Sequence, residues 1–441
     1  MSALPGADAS SLMRHVRELA EVIGPRPSTS PQERRAAGYL EGALSSLGWR
    51  VEREPFRSVT SFSWAVLVVF GLSVAAAGLL PGRPAAALAL TLAALALFVL
   101  EASSVAAVSR LLPTRPSQNL LASLPGGPGG GDAPGLPSAG PQPIQSQPPA
   151  AGPRRGATQQ AVAGPLRRLI VVAHYDSSRE AVLYHPLLVP AFRALFLAMV
   201  GSMLVIALAS ILALGAPALD RWFMPPAWAA GGYLAAMFLV VLHRETLGRP
   251  VAGANDNASG AAVALGLAER LARAPTTRLE VQLLFTGAEE AGTVGMLSFL
   301  ARHGRRLRGG PATAFLNLDN LGKGSLRYIV AEGMLNLTRS DAELVGAASR
   351  VAVERPDLGF GPAVYQSLTT DGLAAMMRGF RAMGIMAFDA RGILPNWHWR
   401  TDTCDGVDPG NLDRALEFVE GLVRELDRKA GEQRPGRTVQ P

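Results

Sequence analysis

The sequence has a single cysteine, Cys404, so no intramolecular disulfide can form and no thiolate set can hold a zinc ion. Metal chemistry, if there is any, falls to histidines and carboxylates. Charge is scarce as well: Asp, Glu, Lys and Arg make up 17% of the 441 residues, against 49% apolar residues. With a mean hydropathy of +0.20, that balance points to a membrane-inserted part beside a soluble one. The net charge of +7 is spread over scattered arginines with no run of five basic residues, which leaves nucleic acid out of the expected partners. An HExxH zinc motif and internal repeats are also missing. Residues 1–60 are charged throughout and read as folded protein rather than as a secretion leader.

What is present falls into alternating blocks. An apolar stripe at residues 12–23 predicts a helix, and Ser30 before Pro31 and Glu33 announces a second one that stops near Gly48. Residues 49–56 alternate like a strand. From Phe62 the character changes. Two nearly uncharged stretches, 62–80 and 85–108, flank a Pro81-Gly82-Arg83-Pro84 turn, and two more, 187–214 and 226–242, flank a loop with Asp220 and Arg221. At roughly 1.5 Å per residue such stretches can cross an apolar layer about 30 Å thick, and the fourth is the shortest.

Residues 124–165, rich in Gly, Pro, Ala and Gln, cannot bury enough surface to fold and read as a disordered loop between two strand-like runs, 119–124 and 166–174. An expanded hairpin connection is one reading of it. Beyond Pro250 helices and strands alternate: helix 260–274, strand 278–286, helix 292–303, strand 312–318, then helices at 341–354, 372–383 and 411–426. The expected fold class is α/β, with a mostly parallel central sheet flanked by helices and four inserted transmembrane helices in two hairpins. The expected segments are 1–60, 111–185 and 246–430 for the soluble domain, 61–110 and 186–245 for the hairpins, and a disordered tail at 431–441.

Five short strings carry candidate chemistry. LIVVAHYDSS ends a strand at His174 and Asp176; one ring nitrogen could bind a metal while Asp176 accepts from the other, although a satisfied surface histidine would look the same. GANDNASG places Asp256 just before a helix, where an N-cap is the bland alternative. LLFTGAEEAG opens from a strand onto Glu289 and Glu290, adjacent carboxylates that repel unless a cation separates their roles. AFLNLDNLG ends a strand at Asp319, and NWHWRTDTCD sets His398 between tryptophans with Asp402 after it. Strand ends are where sites form in open α/β sheets, and these strings fall at successive ends. The remaining histidines, His15, His185, His243 and His303, read as surface or interfacial. Glu101 is a possible partner of Arg193, and Cys404 reads as a small buried side chain.

The ordered strings HYDS, DNASG, GAEEAG, NLD and HWRTDT resemble the co-catalytic di-zinc aminopeptidases of metallopeptidase family twenty-eight, closely over 246–430 and loosely over 12–56 and 117–184. That resemblance implies the di-zinc exopeptidase fold and two Zn2+ ions, with manganese or cobalt as possible substitutes. It implies one ion on His174 and Asp319, the other on Glu290 and His398, and Asp256 bridging both. It also makes Glu289 the general base, Asp176 the partner of His174, and peptides the substrates, hydrolysed through a metal-bridging water. A non-catalytic receptor or scaffold on the same fold, and a cyclase acting on N-terminal glutamine, are the alternatives it carries.

The lipid bilayer is the other expected partner. Arg50, Arg53, Arg57, Arg110, Arg115, Arg179, Arg193, Arg244 and Arg249 flank the apolar segments on the side of the motifs, whereas the opposite loops hold Arg83 and Arg221. The positive-inside rule then makes the chain a multi-pass membrane protein with its peptidase domain on the cytoplasmic side.

Overall fold

The computed structural model describes residues 7–102, 108–128 and 166–432. In chain order the elements begin with α1 (Ala7–Arg17), α2 (Pro31–Ser46), β1 (Arg50–Ser58), α3 (Ser63–Leu79), α4 (Pro84–Ala102), β2 (Arg115–Ser123) and β3 (Arg168–His174). There follow α5 (Phe192–Gly215), α6 (Asp220–Thr246), α7 (Ser259–Arg273), β4 (Glu280–Thr286), α8 (Val294–Gly309), β5 (Thr313–Leu318), β6 (Ser325–Glu332) and β7 (Thr338–Arg339). The chain closes with α9 (Ala342–Glu354), β8 (Gly361–Tyr365), α10 (Asp371–Met377), β9 (Arg381–Phe388) and α11 (Pro409–Glu432). These divide into two units: Met1–Ser58, Arg115–Ser178 and Val251–Pro441 form one, and Val59–Thr114 and Arg179–Pro250 the other.

The first unit is an α/β sandwich. Its sheet runs β1-β2-β4-β3-β5-β9-β6-β7, with β8 paired to β6. The central strands β4, β3, β5 and β9 are parallel, while β1, β2 and β6 join antiparallel. Successive residues of β3 point to opposite faces, and both faces are dry. Leu169, Val171 and Ala173 join the core under α1, α2, α7, α9 and α11, and Ile170 and Val172 join the core under α8 and α10. Every backbone group of such a strand must bond in-sheet, which lines up the C-terminal ends of β3, β4 and β5 at one edge.

Several local expectations change here. The runs 119–124 and 166–174 do not form a hairpin: β4 lies between β2 and β3, and the connecting residues 129–165 fall outside the described residues, as do 433–441. The helix expected at 372–383 ends at Met377, where Gly379 takes φ +77, and Arg381–Phe388 becomes a strand paired to β5 and β6. Its apolar run satisfied both periodicities, and sheet pairing decides. His303 is buried rather than superficial, its Nε2 2.5 Å from Glu54.

The second unit consists of α3, α4, α5 and α6, and large apolar side chains lie on its outside as well as in its core. Ala76, Ala77, Ala94, Ala209, Ala227 and Ala230 are buried, while Leu204, Leu208, Ile211, Trp228 and Leu239 face outward. Among the described residues three helices are long and apolar enough to cross a membrane, within Pro84–Ala102, Val189–Gly215 and Pro217–Thr246; Ser63–Leu79 is apolar but shorter, at 17 residues. The first segment, not the fourth, is therefore the shortest. Asp220 and Arg221 are not in a loop but begin α6, which admits Pro225 and Pro226 in its interior. Glu101 accepts from the Val108 and Ser109 amides and from Ser109 Oγ, at 3.0 Å for the last.

Candidate metal centre

Three parallel strands deliver the first residues. His174 is the last residue of β3, Glu289 and Glu290 follow β4, and Asp319 follows β5. Asp256 lies in a π-helical turn, Ala254–Ala258, with non-helical dihedrals (φ −113, ψ 90) and a cis bond to Asn257, so it is not the N-cap of α7. His398 comes from the loop between β9 and α11.

The structure brings five of these side chains into one cluster. Asp256 Oδ1 is 3.2 Å from His174 Nε2, which is 3.6 Å from Asp319 Oδ1. Asp256 Oδ2 is 3.2 Å from His398 Nε2, which is 3.1 Å from Glu290 Oε1. Two donor groups, His174/Asp256/Asp319 and Asp256/Glu290/His398, thus share one carboxylate. Nitrogen and oxygen ligands about 2.0–2.1 Å from a tetrahedral ion sit roughly 3.3 Å apart, so the spacing of this set fits a metal. Asp176 Oδ1 lies 3.5 Å from His174 Nδ1.

The charge balance also calls for a cation. Asp176, Asp371 and Asp402 are buried within electrostatic reach of Asp256, Glu289, Glu290 and Asp319. Burial pushes Asp371 and Asp402 up to about 7 and holds Glu289 well above the usual carboxylate range. Burial works against the imidazolium of His174, yet Glu289 and the hydrogen-bonded Asp176, Asp256 and Asp319 outweigh it and raise the ring well above its ordinary value. For Asp256 burial opposes ionisation, and hydrogen bonds from His174 and His398 reverse that, so it titrates below its ordinary value. Binding of a metal requires neutral His174 and releases the proton this setting otherwise retains.

Backbone conformation is special at the same places. Ala288, Asn320 and His398 have φ of 51°, 53° and 49°, beside or at Glu289, Asp319 and the imidazole itself. Non-glycine residues persist in the left-handed region where surrounding contacts over-determine them. The backbone before Asp256 is pinned as well, for Asp402 accepts from the amides of Asn255 (2.6 Å) and Asp256 (3.1 Å). Arg26, fully buried, adds to this. Its guanidinium donates to the carbonyls of Tyr175 (2.8 Å), Ala252 (2.8 Å) and Gly253 (2.9 Å), tying the strings around His174 and Asp256 together. Burial lowers it to about 10 against the pull of Asp402 and Asp176.

Sequence reasoning gave no role to Arg26, Asp371 or Tyr365. Tyr365 is buried, and burial followed by Asp319 and Asp256 lifts its phenol well above its ordinary value. The string Gly24-Pro25-Arg26-Pro27 is the available signal for Arg26, and such a string reads first as a turn.

With this geometry in place, comparison with known proteins is informative. The sequence profile of Peptidase family M28 matches residues 231–423. That span takes in Asp256, Glu289, Glu290, Asp319 and His398, and stops short of His174 and Asp176. No curated protein matches the chain in sequence. Among solved structures the chain is similar to a glutaminyl cyclase from Fimbriiglobus ruber, at TM-score 0.52 and 16% identity, covering 96% of this chain and 97% of that one. It is similar also to BSAP, a zinc aminopeptidase from Bacillus subtilis, at TM-score 0.50 and 13% identity over 96% of both chains. LapB from Legionella pneumophila matches at TM-score 0.50 and 11% identity, over 95% of this chain and 72% of that one. At these identities the likeness is one of fold: a mostly parallel central sheet flanked by helices, shared with a zinc aminopeptidase and a glutaminyl cyclase.

Proposed function

We propose that the chain is a membrane-anchored, zinc-dependent exopeptidase, specifically an aminopeptidase. One observation carries this reading: the two oxygens of Asp256 face different His/carboxylate pairs, Oδ1 toward His174 and Asp319 and Oδ2 toward Glu290 and His398. A single bridging carboxylate with a histidine on each side suits two metal positions. Bound there, two divalent ions would polarise a scissile carbonyl and acidify a water toward pKa ~7.

The chain's own residues would do the rest. Glu289, half-buried and outside both donor groups, takes a proton from the attacking water on its carboxylate and returns it to the leaving amine. Burial raises its carboxyl well above the ordinary carboxylate range. Asp176 orients His174 through Nδ1.

The anchor is the second unit. Its outward Leu, Ile and Trp side chains suit lipid, and three of its helices are long enough to span it. The pairing of β1 with β2 along nine residues argues that α3 crosses too. These strands flank α3 and α4 in the chain, so if α4 crossed alone they would lie on opposite sides of the bilayer. Four crossings keep all segments of the α/β unit on one side, and the arginine distribution makes that side cytoplasmic.

The test of activity is metal analysis of purified protein together with a panel of aminoacyl amides, N-terminally blocked peptides and peptides with N-terminal glutamine. Hydrolysis restricted to free N-termini with two zinc ions per chain is expected. Glu289→Gln should keep both ions and lower turnover by at least ~10²-fold; near wild-type turnover removes Glu289 from the reaction. For sidedness, a cysteine placed at Gly82, in the turn between α3 and α4, should react with an impermeant maleimide from outside intact cells. No reaction there reverses the topology.

A further inference from the structure

The loop that carries Glu289 and Glu290 presents three consecutive backbone N–H groups, and each donates to a carboxylate. Glu289 N reaches Asp176 Oδ1 at 3.1 Å and Glu290 N reaches Asp176 Oδ2 at 3.2 Å. The third, Ala288 N, donates at 2.8 Å to Glu33, from the first turn of α2 and 255 residues away in the chain.

Glu33 begins as an ordinary helix signal. Ser30 is the N-cap of α2, its hydroxyl accepting from Glu33 N at 3.1 Å, and the spacing matches a capping box. In a capping box the glutamate reaches back to the N-cap amide, on the helix surface. Here Ser30 N donates to Pro27 O instead, and the Glu33 side chain is buried with 1% exposure. Its Oε1 accepts from Ala288 N and from Ser117 Oγ (2.9 Å), and its Oε2 accepts from Thr29 N (2.8 Å).

Two of these partners belong to strained backbone, for Thr29 has φ 65 and Ala288 φ 51. Gly287 is part of the same fit: a Cβ there would stand 2.9 Å from Glu33 Oε1 and 2.6 Å from Gln118 O. Burial lifts Glu33 to about 8, with Asp176 adding to it. A helix start alone would leave such a carboxyl in water. Its placement instead holds a left-handed alanine immediately before Glu289.

We infer that Glu33 is a positioning residue for Glu289, clamping the Gly287–Ala288 backbone from one side while Asp176 holds the next two amides from the other. The inference rests on the reading of Glu289 as general base. A displacement of about 1 Å at a catalytic group can cost ~10²-fold in rate, so a clamp one residue away is a large lever.

The experiment uses the full-length, zinc-loaded chain in detergent, with an aminoacyl p-nitroanilide as the substrate probe. Glu33→Ala should lower kcat by roughly 10- to 100-fold while KM changes less than about 3-fold and zinc content is unchanged. Glu33→Gln, which has the shape of the protonated acid, should recover most of that rate. Independently of activity, amide hydrogen exchange at residues 288–290 should accelerate by about 10-fold or more in Glu33→Ala, with α11 unaffected. Should Glu33→Ala fail to fold, Ser117→Ala, which removes a donor to Glu33 Oε1, carries the same readouts at smaller amplitude.

Unchanged kcat with unchanged loop exchange overturns the inference. So does a uniform rise of exchange across the α/β unit with a lowered Tm, which marks Glu33 as a general structural support. If the wild-type chain cleaves no aminoacyl substrate, the peptidase reading fails, and the exchange measurement alone then decides whether Glu33 clamps the loop.

Discussion

Along the helices of the four-helix unit the buried hydroxyls of Ser73, Thr91 and Ser210 donate to Val69, Ala87 and Ile206, each four residues back on the same helix. Its polar bonds between distant segments include Tyr233 to Leu195 O and, at the start of α3 and the end of α6, Ser61 and Ser63 with Arg244 and Glu245. In the α/β unit Ser28 reaches Asp176 across 148 residues of chain, Asn255 N reaches Asp402 across 147, and Ala288 N reaches Glu33 across 255. A helix inside lipid must satisfy its polar groups locally, because no water waits outside to serve a group that misses its partner. A water-surrounded domain can build long-range polar networks, and here they converge on one cluster of histidines and carboxylates. The outer surfaces differ too: arginines face outward in one unit and Leu, Ile and Trp in the other, whose interior mixes alanines with Phe70, Met203 and Leu234.

The largest effect comes from cutting the network at its centre. Asp256→Ala removes the carboxylate common to both donor groups, so metal content and activity should fall together, activity by at least ~10³-fold. Stoichiometric zinc retention in that variant contradicts a shared ligand. The corresponding cut in the other unit is a charge on its outer face. Leu208, 57% exposed on α5, should cost about 2–3 kcal/mol as arginine if it faces hydrocarbon. Val353→Arg on α9, at a position 78% exposed, should stay within ~0.5 kcal/mol. Equal effects at the two positions, read by membrane insertion and thermal unfolding, would place the four helices in water.

Smaller, and closer to the comparison itself, is the deletion of single hydroxyls. Ser28→Ala strips Asp176 Oδ2 of its 2.6 Å donor and should cost about 1–2 kcal/mol, because a buried carboxylate oxygen loses a bond it cannot replace. Ser210→Ala deletes a donor whose carbonyl partner lies on its own helix, and should be close to neutral. Thermal unfolding of both variants decides whether local and long-range satisfaction differ in energy.

How far the sequence reveals this molecule follows the same division. His174, Glu289, Glu290 and Asp319 stand where apolar strand runs stop, and a strand's end is a local, readable event. Asp256 is held through its amide by Asp402, 146 residues away, and His398 faces Asp256 and Glu290 from a distant loop, so the strings around them show composition without conformation. Glu33 and Arg26 are the extreme case: each looks like helix or turn punctuation until the chain closes over it. The strand Arg381–Phe388 escaped because its neighbours, β5 and β6, decide what an apolar run becomes. The apolar helices were legible from composition, while their bounds were not, since Pro225 and Pro226 lie inside α6 rather than at its start.

The finest test is a titration in the α/β unit, where a carboxyl outside the two donor groups is held out of its ordinary range chiefly by burial. Glu332, at the end of β6, is fully buried; burial raises it to about 7, Asp319 adds to the rise, and a 2.7 Å bond from Thr370 Oγ1 offsets part of it. A carboxyl raised in the folded state holds its proton there after the unfolded chain has lost it. Its contribution to stability is therefore fully present below about pH 4.5, falls as pH climbs toward about 7, and becomes a constant penalty above that. Glu332→Gln has nearly the same shape and nothing to ionise, so wild type and variant should match near pH 4.5. The variant should then gain on the order of 1–2 kcal/mol by pH 8. The difference between the two unfolding curves cancels every other titrating group. A difference independent of pH would mean that Glu332 ionises as readily folded as unfolded, and that the interior around β6 is as polar as the surface.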